Sequence, residues 1–111
     1  MSKQIRGIIE RLQKEKVVFK SFTPISPKEF NSRKKIDIYL AVDLKKYYTC
    51  IIHIAKKSRI LSKEAKELME FHQKLEIYND SKITKKYIYI QAPLCSKAKA
   101  LFKDEKWVVL L

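Results

Sequence analysis

Glycine is nearly missing from this chain: Gly7 is the only one in 111 residues. Loops that cradle phosphate need several glycines, because their backbone must reach positive φ and approach the anion closely. Both the P-loop and the dinucleotide-binding fingerprint are therefore excluded. Two cysteines and two histidines are too few for an ordinary four-ligand zinc site unless all four converge, so no metal site is expected from them. Cys50 sits in an apolar run and Cys95 follows Pro93-Leu94, which argues against a disulfide framework and for a buried thiol at Cys50. No run approaches the ~20 apolar residues of a membrane span, and Met1–Arg6 lacks the apolar centre of a secretory signal. The expectation is a cytoplasmic protein with no membrane partner. Acidic residues are also scarce, 12 Asp and Glu against 25 Lys and Arg, for a formal net charge of +13.

What is present is a core. An apolar fraction of 46% and an aromatic fraction of 11% are too high for a disordered basic tail. The length suits one domain over residues 1–111. The charge is distributed: residues 1–35 carry 10 basic and 3 acidic groups, and residues 36–111 carry 15 and 9. It therefore decorates the folded body, and a compact basic body implies an acidic partner, nucleic acid first of all.

Hydrophobic spacing predicts the elements. Ile5, Ile8, Ile9 and Leu12 form one apolar stripe of a helix over 3–15 capped by Ser2. Val17-Val18-Phe19 reads as a short strand, and residues 21–35, holding two of the three prolines, as a loop with a helical turn after Pro27. Ile36 to Val42 alternates, with Ile36, Ile38, Leu40 and Val42 on one face. Tyr47 to Ala55 is a second, central strand paired with it as a hairpin. Ser62 caps a helix over 63–78 with the stripe Ala65, Leu68, Met69, His72 and Leu75. Tyr87–Ile90 is a strand, Ser96 opens a short helix burying Ala98, Leu101 and Phe102, and Trp107–Leu111 closes as a strand. The order α-β-β-β-α-β-α-β makes an α/β fold, a mixed central sheet flanked by helices.

This order, with Lys35-Ile36-Asp37-Ile38-Tyr39 as an acidic strand and His53-Ile54-Ala55-Lys56-Lys57-Ser58-Arg59 as a strand with a basic exit, resembles the restriction-endonuclease-like superfamily. Within it the chain is similar to archaeal Holliday-junction resolvases and RecB-type nuclease domains. The helix start Ser62–Phe71 and the segment Ile90–Phe102 belong to the same resemblance. The resemblance implies two carboxylates that hold a divalent cation at the scissile phosphate, and a lysine that orients water. Asp37 matches the first carboxylate. His53 falls on the second and Ala55 on the lysine, while Lys56, one residue off, is expected on the opposite face. Imidazole is a poor replacement in a site built for magnesium, which prefers oxygen. Asp37 and His53 are thus candidate vestigial catalytic residues. Mg2+ would be a cofactor only if Glu10, Glu64 or Glu67 replaced the lost carboxylate. The resemblance also implies a homodimer and a preference for structured or branched DNA over RNA.

Three alternatives stand beside this reading of a catalytically degenerate, DNA-binding domain. One is an active metal-dependent endonuclease. Another is a metal-free RNase similar to archaeal tRNA-splicing endonucleases, with Tyr39, His53 and Lys85 as its acid–base set. The third is a small basic interaction subunit whose terminal strand Trp107–Leu111 pairs with a partner. Purely structural roles weigh against each candidate: Asp37 as a strand-edge carboxylate paired with a lysine, His53 and His72 as packed, hydrogen-bonded histidines. For nucleic-acid binding the candidates are Arg33, Lys34, Lys35, Lys45, Lys46, Lys56, Lys57, Arg59, Lys85 and Lys86. Most stand beside strand ends and are expected to converge on one rim that tracks phosphates. The strand tyrosines are expected to pack, with stacking on unpaired bases as their other use.

Overall fold

The computed structural model describes residues 10–14, 19–30 and 35–111. Helical residues 10–14 (α1) precede β1 (Phe19–Ile25), a 3-10 turn (Pro27–Phe30), β2 (Asp37–Asp43) and β3 (Tyr48–Ala55). The chain continues through α2 (Ser62–Asn79), β4 (Lys85–Gln91), α3 (Ser96–Asp104) and β5 (Val108–Leu110). The five strands form one mixed sheet in the order β1-β2-β3-β4-β5. β1, β2 and β3 pair antiparallel, and β4 and β5 continue the sheet parallel to β3. The expected α/β architecture, a mixed sheet flanked by helices, is what the chain adopts.

Two successive crossovers explain why both long helices share one face. Each parallel step, β3 to β4 and β4 to β5, advances the same way across the sheet and carries a helix. Crossovers of one hand place such helices on the same side. α2 and α3 accordingly bury Ala65, Leu68, Phe71, Leu75, Ala98 and Phe102 against Ile38, Cys50, Ile52, Ile54, Ile88 and Ile90. Strand alternation sends the intervening residues to the other side, where Leu12 of α1 joins Tyr39, Ala41, Ile51 and Leu110.

The largest departure from the sequence reading is β1. Residues 21–25, expected in a loop, continue the strand and pair with β2 from Phe22↔Ala41 to Ile25↔Ile38. Two causes hid it: the apolar period is broken by a register shift between Phe19 and Ser21, and Pro24 suggests a loop. An edge strand accommodates a proline, since one row of its backbone groups bonds nothing in the sheet. Val17 and Val18 lie outside the described residues, as do residues 1–9 of the first helix with their expected Ser2 cap. The helical turn after Pro27 is present as the 3-10 turn.

Helix ends differ in detail. Ser62 is the first helical residue of α2 and Leu61 its N-cap, with no side-chain cap bond. Asp80 ends that helix in the left-handed region at φ 49°, its N–H returning to Glu76 and Ile77 carbonyls. Phe71, absent from the expected stripe, is buried, while Met69 and His72 sit at its half-buried edge. His72 Nε2 donates to the Ile83 carbonyl (2.8 Å) and its ring meets Trp107 edge-on, a packing role as expected. Cys95 caps α3, its Sγ accepting from the Ala98 N–H at 3.3 Å. Trp107 is buried against Phe102 ahead of β5, so the terminal strand begins at Val108.

Candidate functional site

Three polar side chains meet on the α1 side of the sheet, one from each of three neighbouring strands. Asp37 opens β2, His53 lies opposite it on β3, and Gln91 ends β4 beside Ala55. His53 Nδ1 is 2.9 Å from Asp37 Oδ2, and Nε2 is 2.6 Å from Gln91 Oε1. Gln91 Nε2 donates in turn to the Tyr89 hydroxyl (3.2 Å), whose ring lies 5.2 Å from the imidazole. The His53 ring is buried and the Asp37 carboxylate about one-third exposed (35%). Asp37 Oδ2 accepts from Nδ1–H, and Nε2 meets the Gln91 side-chain amide, so both ring nitrogens are engaged within the row. No lone pair of the imidazole is therefore left facing the cavity.

A cavity of about 390 Å3 opens in front of this row, lined by Lys35, Ile36, Asp37, His53, Ala55 and Gln91. Ala55 occupies the strand position that the resemblance reserves for a lysine, two residues after His53 on the same face. Its methyl leaves open space in place of a cation. Lys56 points the other way, as expected from alternation, and pairs with Glu64 of α2. α2 packs on the opposite face, so Glu64 and Glu67 belong to a helix remote from the Asp37 side of the sheet. Glu10 stands exposed on α1. Among the described residues no group of three or more His, Cys, Asp and Glu is placed to hold a metal ion.

The Tyr39, His53 and Lys85 set of the splicing-endonuclease alternative is not brought together. Tyr39 is buried and stacks on Phe22 at 4.7 Å, and burial, with help from Asp37, pushes its hydroxyl up to about 12. Lys85 pairs with Thr49, four strand positions from His53 or roughly 13 Å, and its Nζ donates to Asp43 Oδ2 at 2.9 Å.

The basic residues divide between two ends of the sheet. Lys35 precedes β2 and lines the cavity, while Lys56, Lys57 and Arg59 follow β3 at the same end of the sheet, Lys56 turned to Glu64 on the helix side. Arg33 and Lys34 lie outside the described residues. Lys45 and Lys46 form the β2–β3 turn, and Lys85 and Lys86 begin β4 at the opposite end. The expected single rim is therefore two. The reason is connectivity: a hairpin puts the residues before β2 and after β3 at one end and its turn at the other, where parallel β4 also begins.

Gln91 was not singled out by the sequence as a site residue, and Tyr89 was expected only as a packing or stacking tyrosine, not as its partner. The signal for Gln91 was a glutamine two residues after a strand tyrosine, thus on its face, at the carboxyl end of a parallel strand. Ligand sites of open α/β sheets collect at such ends. Among the described residues no helix is long and apolar enough to cross a membrane.

No family model and no curated protein sequence matches the chain. Solved structures do. The chain is similar to EndoMS in its apo form, with a TM-score of 0.60 and 14% identity over 99% of this chain and 45% of that one. It is similar to a repair endonuclease from Pyrococcus abyssi, with a TM-score of 0.56 and 13% identity over 99% and 46%. An EndoMS–dsDNA complex gives 0.54 and 14% over 97% and 43%. The chain thus spans less than half the length of these proteins. At such identities the likeness establishes the fold alone: a mixed five-stranded α/β sheet flanked by helices, shared with these structures and consistent with the restriction-endonuclease-like expectation.

Proposed function

We propose that this chain is a nucleic-acid-binding domain of nuclease type, residues 1–111 acting as one unit, that engages structured or branched DNA without cutting it. The observation that carries this reading is the His53 ring. It is tied at both nitrogens to Asp37 and Gln91, and the resemblance assigns its position to the second metal-holding carboxylate. A base needs a lone pair within reach of the proton it takes, and a magnesium site needs oxygen ligands; the row supplies neither function at His53. Lys35 lines the cavity, and Lys57 and Arg59 follow β3 at the same end of the sheet; these cations would meet phosphates. Phosphate contacts orient a duplex without reading sequence, which favours recognition of shape.

A titration on four-way junction, flap, single strand and duplex at several salt concentrations tests this reading. The expected result is binding that prefers branched DNA as salt rises, with no cleavage in magnesium or manganese. Cleavage abolished by Asp37→Asn would establish an active nuclease instead, and equal binding that collapses with salt would reduce the function to charge alone.

One observation favours a second reading. Among the described residues β5 is an edge strand with a single neighbour, and Val108 and Leu111 are exposed there. Pairing of this edge with a partner protein, or with a second copy as a homodimer, would make the chain an interaction subunit. A monomer by size exclusion that ignores every DNA at moderate salt would support the partner-protein form.

A further inference from the structure

The β2–β3 turn, at the far end of the sheet from the cavity, is built unlike an ordinary solvent loop. Asp43 anchors it: Oδ1 accepts from the backbone N–H groups of Lys45 and Tyr47, both at 2.9 Å, and Oδ2 accepts from Lys85 Nζ. The backbone closes with Asp43 N–H to the Tyr47 carbonyl and Lys46 N–H to the Asp43 carbonyl, each 3.0 Å. The tip is thus tied both to itself and to β4. Yet the residues it presents are not turn formers. Lys46 occupies the left-handed region at φ 69°, where glycine or asparagine is favoured. Leu44 is 69% and Tyr47 52% exposed, on either side of the cations Lys45 and Lys46. Lys20, next to the Phe19 that pairs with Asp43, adds a further cation at this end.

We infer that this turn is a second nucleic-acid contact, a rigid wedge in which Leu44 and Tyr47 meet an unstacked base at a branch point or duplex end. Lys45, Lys46 and Lys20 hold the adjoining phosphates. The inference rests on the nucleic-acid-binding reading above and adds to it what the turn recognises. Charge complementarity selects the occupant, since the one carboxylate within the turn, Asp43, is already paired with Lys85. An aromatic ring beside phosphate-binding cations suits a base, whose π-face stacks whatever its sequence. An apolar side chain such as leucine can prise a base step apart. The turn lies five ladder positions from Asp37, about 17 Å at ~3.3 Å per residue. A duplex running along the β2–β3 hairpin would cover that span in about five base pairs.

The test uses DNA with 2-aminopurine at the branch point, and the variant Leu44→Ser/Tyr47→Ser, whose altered side chains are both exposed. The intact chain should raise 2-aminopurine fluorescence on binding. The variant should lose that rise and weaken branched-DNA binding about tenfold, the scale of one base–aromatic stack, while blunt-duplex binding stays within about twofold. Lys46→Gly should leave the fold intact and weaken all DNA binding with a shallower salt slope. If the intact chain binds DNA and the double variant keeps both the preference and the fluorescence rise, the wedge is refuted and the binding reading stands. If the double variant loses only binding to vesicles containing phosphatidylserine, the turn belongs to a lipid surface and the wedge is refuted too. Failure of the intact chain to bind any DNA would overturn the nucleic-acid reading itself, and the wedge with it.

Discussion

His53 and Asp37 face each other across the β2–β3 ladder, and the imidazole Nδ1 lies 2.9 Å from the carboxylate. The contact joins the start of one strand to the end of the next. Gln91 extends it to a third strand, so one buried ring ties together the end of the sheet where the cavity opens.

That role gives His53 a measurable weight in stability. His53→Ala would leave Asp37 and the Gln91 amide without their shared hydrogen-bond partner and open a void in a buried position. We expect a loss of about 2–3 kcal/mol by urea unfolding, combining a hydrogen bond to a charged group with the cavity left behind. Asp37→Asn keeps an acceptor oxygen and should cost less, about 1 kcal/mol. A His53→Ala variant as stable as the parent would show that the row does not form in solution.

On the proposed reading, the sheet geometry also predicts which substitutions would confer cutting. Residues 37 and 53 are direct cross-strand partners, and side chains so placed have Cβ atoms ~4.5–5.5 Å apart. His53→Glu therefore sets two carboxylates side by side, and Ala55→Lys adds a cation on the same face. The double variant should bind manganese, measured calorimetrically, and nick plasmid DNA in its presence. If it binds no metal, β3 is not a former catalytic strand.

Asp43 and Lys85 shape the response to pH. The Lys85 ammonium, then the Tyr47 and Lys45 backbone N–H groups, hold the Asp43 carboxyl below its ordinary value, and Asp43 holds the Lys85 amine above its own. A lowered carboxyl adds stability that is present above its unfolded value near 4 and lost as pH falls through the folded value. A raised amine adds stability present below its unfolded value near 10.4 and lost as pH rises through the folded one. Asp43→Asn should therefore lower Tm at neutral pH and flatten the fall of Tm below pH 4. An unchanged acid limb would show that the pair is not formed.

The two free thiols should separate cleanly. Cys50 is fully buried, and burial pushes its thiol up to about 12, so almost no thiolate exists at neutral pH. Cys95 is only partly buried at the head of α3. Iodoacetamide followed by mass spectrometry should label Cys95 first and Cys50 only in denaturant. Equal native rates at both would contradict the packing of β3 against α2.

Much of the architecture was readable residue by residue. The alternation of Ile36 to Val42, the apolar run around Cys50–Ile52 and the stripe Ala65, Leu68, Leu75 report their periods directly, because each buried face repeats with its element. β1 did not, because its register shift and Pro24 mask the period and its pairing depends on β2. Asp37 and His53 were legible as candidates by type and place. Their bond was not, because it depends on a register between residues 16 apart. Gln91, 38 residues from His53, is drawn in only by the parallel alignment of β4.

The near-absence of glycine, the charge of +13 and the apolar periods are local properties of the chain. They exclude Gly-rich phosphate loops, make an acidic partner the expectation, and mark out the strands and helices of an α/β sheet. Which charges become neighbours is not a local property. Hairpin reversal and two parallel crossovers send Lys35, Lys57 and Arg59 to one end of the sheet and Lys45, Lys46 and Lys85 to the other. The same long-range pairing brings a ring and two polar side chains from three strands within hydrogen-bonding distance, because strand register, not sequence separation, sets which groups meet.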